Sequence, residues 1–262
     1  MLKSFSSALK GMFSAPGVLL PAAVAALVNA VILFFSLDVF SSLVFGIFIL
    51  DNVPLVGFAE LPFRLFFQYQ AEFLMLGLAV LAGFLIQLVL LFFYSRVAVD
   101  ADAKKASFGN AWKETMKNSG KILSVFVFFS VLGFFALLAT VFLLVNSIAF
   151  GLIGGFILLV WLAAIAYITV KLAFVVPSMA ADKAKLKDAL KKSWAFSNKG
   201  FFSVLAFLLG LWIINALITR IVFSGIDVLG EDLAVIAVIF IVSLVLSAFN
   251  SLSVAFYYIK RR

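Results

Sequence analysis

Long runs of apolar residues, interrupted by short clusters of lysine, set the pattern of this chain. Windows near 18–37, 73–95, 122–145, 148–170, 201–219 and 233–259 are almost free of charge. About 20 such residues coiled as helix cross a hydrocarbon core of roughly 30 Å. They predict six membrane-spanning helices, because in lipid each backbone polar group has to be satisfied within its own helix. The stretch 39–50 is also apolar, but it is too short for a crossing and is bracketed by Asp38 and Asp51. It reads as interfacial or re-entrant. Between the third and fourth windows only Asn146, Ser147 and apolar neighbours are available, which predicts a tight antiparallel hairpin there. The alternation of a membrane barrel is absent.

The lysine clusters carry a second pattern. Apolar or small residues recur at Phe5, Ala8, Leu9, Met12 and Phe13, again at Phe108, Ala111, Trp112, Thr115 and Met116, and again at Leu186, Ala189, Leu190, Ser193 and Trp194. Each set follows the i, i+3, i+4, i+7, i+8 spacing of one helix face. A lysine falls two residues after the shared alanine each time (Lys10, Lys113, Lys191), on the opposite face. Each unit then reaches a glycine, Gly17, Gly120 or Gly200, and enters a span. The chain therefore reads as an all-α polytopic helix bundle. Its single membrane domain, 1–262, holds three repeats of amphipathic elbow helix plus helical hairpin, approximately 1–95, 104–170 and 183–259.

Charge fixes the expected orientation. All of the 20 basic residues except Arg64 and Arg220 fall on one side of the six-span scheme, among them Lys171, placed in the loop after the fourth span. By the positive-inside rule that side is cytoplasmic and holds both termini, in a plasma-membrane protein. A seventh span at 39–58 would split this asymmetry.

Composition narrows the chemistry. Of 262 residues, 66% are hydrophobic and only 12% charged, well below the usual quarter of a soluble domain. Cys and His are absent, which removes thiol catalysis, disulfides, the imidazole base and nitrogen- or sulfur-ligated zinc. No metal or cofactor site is expected. The net charge of +8 sits beside the spans rather than on a soluble domain, so the expected anionic partner is lipid headgroup and not nucleic acid.

The sequence "FVVPSMAADKAKLKDALKKSW", with its proline near the end of the fourth span, its cytoplasmic "ALKKSW" helix and the glycine that follows, resembles a group of prokaryotic membrane families. They are related in pattern to the membrane domain attached to some glycerophosphoryl diester phosphodiesterases. The resemblance covers residues 90–260 and implies a membrane module. It carries over no catalytic residue, since the activity of such proteins resides in a separate soluble barrel domain.

Candidate sites follow in two groups. The lysines Lys10, Lys113, Lys187, Lys191 and Lys192 are candidates for headgroup contact, with Phe5, Phe108, Trp112, Leu190 and Trp194 as interfacial anchors. The same helices also satisfy the positive-inside rule by merely packing beneath the bundle, and both readings stay open. Within the spans Asn29, Gln87 and Asn215 lead a set of polar residues that includes Thr140, Thr169, Ser243, Ser247 and Asn250. Amides there pair neighbouring helices or bind a solute. Asp100 and Asp102 are a weak pattern for metal-assisted lipid chemistry, and Gly151 with Gly155 makes a small-xxx-small packing face. No acid or base is expected near a midplane, which argues against proton coupling. The expected function is a non-enzymatic, lipid-associated scaffold or membrane module; the alternative is a transporter or permease-like subunit for a small neutral or lipidic solute.

Overall fold

The computed structural model describes residues 2–14, 19–28, 30, 70–102, 108–229 and 232–262. Asn29, the segment 39–50 and most of the connection 38–72 lie outside the described residues. The described chain is all helical: α1 (Leu2–Ser14), α2 (Leu19–Val28), α3 (Gln70–Asp102), α4 (Phe108–Lys117), α5 (Ser119–Leu172), α6 (Val175–Asp182), α7 (Leu186–Lys199), α8 (Phe201–Leu229) and α9 (Asp232–Ile259). Five helices among the described residues are long and apolar enough to cross a membrane: Leu74–Asp102, Ser119–Leu144, Gly151–Asp182, Phe201–Ile221 and Phe240–Ile259. The protein is an integral membrane protein. Of the remaining expected span, 18–37, the ten-residue stretch Leu19–Val28 is described as a shorter apolar helix.

The hairpin between the third and fourth expected spans is present, but its turn is displaced. It lies at Gly151, where φ is 56° and ψ −128°, and not at Asn146 and Ser147. Those polar side chains tolerate helix, whereas this backbone conformation is open essentially to glycine alone. Trp161 Nε1 donates to Thr140 Oγ1 at 2.9 Å, placing the arms 119–150 and 151–172 side by side with Gly151 at the tip. Gly155 has open space around its Cβ position, so the pair Gly151 and Gly155 forms a turn and its sequel, not a packing face.

The second arm ends because of Pro177. Lacking an N–H, this proline cannot bond the carbonyl of residue 173, and the helix breaks at Ala173 and Phe174 before restarting as α6. Proline sits in the first turn of the new helix, where its missing donor costs little. The turn between α4 and α5 falls at Asn118, two residues before the expected Gly120. Asn118 Nδ2 donates to the Glu114 carbonyl at 2.7 Å, a local bond that competes with helix continuation.

Fully buried side chains gather at the end of the bundle where α1, α4, α6 and α7 meet the spans. An aromatic column ties this end together. Phe207 of α8 stacks on Tyr257 of α9 at 4.0 Å, Phe5 of α1 stacks on Phe207 at 5.5 Å, and Phe174 lies over Tyr257 at 5.8 Å. The two termini meet here as well, since Lys260 Nζ donates to the Lys3 carbonyl at 3.3 Å and to Ser7 Oγ. The spans beyond this end expose long apolar rows, such as Leu137, Phe142, Ile153 and Leu159, as a surface facing hydrocarbon does.

Candidate functional site

The three short basic helices share one pattern of burial. Ala8, Ala111 and Ala189 are each 0% exposed, and the residues four further on, Met12, Thr115 and Ser193, are 2%, 0% and 0% exposed. Lys10, Lys113 and Lys191, two residues after each alanine, are all exposed. A small residue at the point of contact lets a helix approach closely, so α1, α4 and α7 seat their alanine edge in the bundle and turn their lysine edge outward.

Side chains at the border of the two edges are large. Trp112 is 40% exposed and Trp194 is 42% exposed, and Leu9 and Met116 are similarly open. Leu186 and Leu190 are half-buried against the core around Met179. Phe5 lies inward between Phe207 and Phe249, and Phe108 packs edge-on to Phe93 at 5.5 Å. Lys187 is exposed, whereas Lys192 is anchored to Asp182 at 3.0 Å. That carboxylate also accepts from Tyr258 Oη at 3.0 Å and from Arg262 Nη1 at 2.7 Å, joining α6, α7, α9 and the C-terminus.

The break before Pro177 creates part of this surface. It frees backbone groups that α7 then satisfies: Ser193 Oγ donates to the Lys171 carbonyl at 2.6 Å and accepts the Phe174 N–H at 3.2 Å. Ser197 Oγ donates to the Val170 carbonyl at 3.1 Å. One turn of α7 thus fits the opened backbone, which holds Trp194 and Lys191 at fixed positions. Such unpaired groups would otherwise be costly in an apolar setting.

Lys171, expected in a polar loop, lies within α5 and is only 2% exposed. Its ammonium donates to Asn198 Oδ1 and sits 5.0 Å from the ring centres of Tyr167 and Phe201 and 5.6 Å from that of Trp194. Ring faces carry negative potential, so a cation there is stabilised by about 0.5 to 2 kcal/mol depending on its desolvation. The cage pins Trp194 to the hairpin base. Sequence reading missed it, although aromatic residues four before and thirty after Lys171 were visible; their convergence depends on the break at Phe174.

A second constellation lies among the spans. Gln87 of α3, Asn215 of α8, and Ser243, Ser247, Asn250 and Ser251 of α9 line a cleft of about 380 Å³. Asn215 Nδ2 donates to Asn250 Oδ1 at 3.1 Å while Asn250 Nδ2 donates to Asn215 Oδ1 at 3.0 Å, a reciprocal amide pair. Ser247 Oγ donates to Gln87 Oε1 at 3.2 Å. The structure therefore brings together two of the three leading intramembrane candidates; Asn29 lies outside the described residues. Thr140 and Thr169 are elsewhere, Thr169 donating to its own helix at the Ile165 carbonyl, 2.9 Å.

Asp100 and Asp102 do not converge. Asp100 is paired with Arg96 at 3.5 Å on the same helix, and Asp102, two positions on and therefore on another face, is exposed.

No curated protein and no solved structure matches the chain. A resemblance expected over residues 90–260 is found over the narrower stretch from the first α5 arm to the end of α9. Residues 143–260 match the family model of the membrane domain of glycerophosphoryl diester phosphodiesterase.

Proposed function

We propose that this is a non-enzymatic, lipid-associated membrane module whose three basic helices bind the cytoplasmic leaflet of the plasma membrane. In this reading the chain has six spans in three repeats, and both termini are cytoplasmic. The observation that carries it is the common burial of α1, α4 and α7, with alanine inward and lysine outward at equivalent positions. Three helices seated alike at one end of the bundle each turn a lysine edge outward, with Trp112 and Trp194 at its border on two of them. Tryptophan and lysine together suit the headgroup level, one offering an amphipathic ring and the other a snorkelling charge. Each lysine near an anionic leaflet contributes about 1 kcal/mol. Lys10, Lys113, Lys187 and Lys191 are placed to do so, while Lys192 is already engaged by Asp182.

Tryptophan fluorescence tests the reading. In vesicles containing brominated phosphatidylglycerol, quenching of the native protein is expected to exceed that in brominated phosphatidylcholine at equal bromine content. The triple variant Lys113→Gln/Lys187→Gln/Lys191→Gln should remove the difference. Equal quenching by the two lipids in the native protein would sink the proposal.

The cleft at Gln87, Asn215 and Asn250 favours a second reading, passage of a small neutral solute. Against it, the amides bond chiefly to one another, as helix-packing amides do.

A further inference from the structure

Two apolar grooves run along the hairpin and share a wall. The first follows one face of the α5 arm 119–150 from Gly120 past Leu123, Val127 and Val131 to Leu132 and Phe135, and holds about 740 Å³. The second, about 680 Å³, lies between α3 and both arms, against Phe84, Leu88, Phe129, Gly133 and Ile165. Leu132 and Phe135 line both. The second volume, walled by α3 and both arms, lies in the range of ligand sites, about 300 to 1,000 Å³, whereas the first is an open trough on one helix face.

The linings decide what could enter. In the second groove Trp161 N–H is already given to Thr140, and the Thr169 hydroxyl to its own helix. Ser124 of the first groove likewise donates to the Lys121 carbonyl, so the walls offer hydrocarbon contact and no spare side-chain donor, which suits an alkyl chain better than a polar solute. Length agrees as well. From Gly120 to Phe135 the helix rises about 22 Å at 1.5 Å per residue, close to one leaflet with its headgroups, half of about 40 to 45 Å. The end at Gly120 is flanked by exposed Lys113 and Lys117 and by half-buried Lys121, whose ammonium donates to the Lys183 carbonyl at 3.2 Å. Cations stand where a headgroup would lie, and apolar walls where its chains would.

We propose that the α5 hairpin binds one diacyl lipid with an anionic headgroup, one chain in each groove astride Leu132 and Phe135, the headgroup beside Lys113, Lys117 and Lys121. The inference rests on the reading of α1, α4 and α7 as a cytoplasmic-leaflet surface and gives that surface a specific lipid. What separates a bound lipid from the layer that coats every span is the second groove, where α3 and both arms wall one of the two chains.

Gly133 provides the test. A Cβ there meets nothing within 4 Å, so Gly133→Leu adds its side chain to the lining of the second groove from an open Cβ position and raises helix propensity. Gly77 of α3 is equally open and lies outside both grooves, so Gly77→Leu is the matched control. The proteins would be equilibrated with phosphatidylglycerol and phosphatidylcholine of equal chain length in mild detergent, and bound lipid counted by native mass spectrometry. The native protein and Gly77→Leu are expected to keep one phosphatidylglycerol, and Gly133→Leu to lose it by about tenfold. Equal retention by Gly133→Leu and Gly77→Leu, or a preference for phosphatidylcholine, would overturn the inference. The tryptophan quenching experiment stays separately readable when it is run in a Trp161→Phe background, because Trp161 lines the second groove while Trp112 and Trp194 lie outside both.

Discussion

A polar side chain inside a span stands or falls by its partner. Asn215 and Asn250 pair through two hydrogen bonds at 3.1 and 3.0 Å, so Asn250→Leu leaves Asn215 with only the bond it donates to the Leu211 carbonyl on its own helix. The expected loss is about 0.6 to 1.7 kcal/mol, read as a lower melting temperature in detergent. The double variant Asn215→Leu/Asn250→Leu should cost less than the two single losses added, because the second substitution removes a group that has already lost its partner amide. Strict additivity would contradict the pairing. Gln87 and Asn215 were legible in the sequence because an amide stands out in an apolar window. Which residues they meet was not, since it depends on helix rotation and tilt. Lys171 shows the opposite difficulty: a lysine at the end of an apolar run reads as a loop residue, yet three rings and Asn198 enclose it.

At the level of elements, backbone chemistry overrides the polarity that marks loops in sequence. The hairpin turns at Gly151, five residues past Asn146, because only a glycine there accepts the required dihedrals. Gly151→Ala is expected to destabilise by about 1 to 3 kcal/mol. Gly155→Ala, in open space on the same arm, should be neutral or stabilising by up to about 1 kcal/mol. Thermal unfolding of the two variants in one detergent compares them directly, and equal melting temperatures would place the turn elsewhere. Pro177 was visible in the sequence as the close of a span, and its consequence was not. The break it enforces is closed by Ser193 and Ser197, which looked like ordinary polar positions of an amphipathic helix. The face of α7 that packs inward is therefore small and hydroxyl-bearing, and the tryptophan stays partly outside.

On the scale of the whole molecule, apolar windows and lysine clusters predicted six spans, of which five are found among the described residues with the short basic helices beside them. Length and charge are one-dimensional properties, and the bilayer acts on them directly. The grooves beside α5 were not legible, since they arise from how three helices lean on one another. The central claim is that α1, α4 and α7 lie on one side of the membrane, the cytoplasmic one, and the hairpin tip on the other. The chain has no cysteine, so single cysteines can be introduced one at a time at Lys10, Lys113, Lys191 and, beside the tip, Leu152, which is 94% exposed. Labelling intact cells with a membrane-impermeant maleimide is the most direct measurement. Leu152→Cys should label from outside, and Lys10→Cys, Lys113→Cys and Lys191→Cys only after the membrane is opened. Labelling of any of those three in intact cells, or protection of Leu152→Cys, would contradict the account.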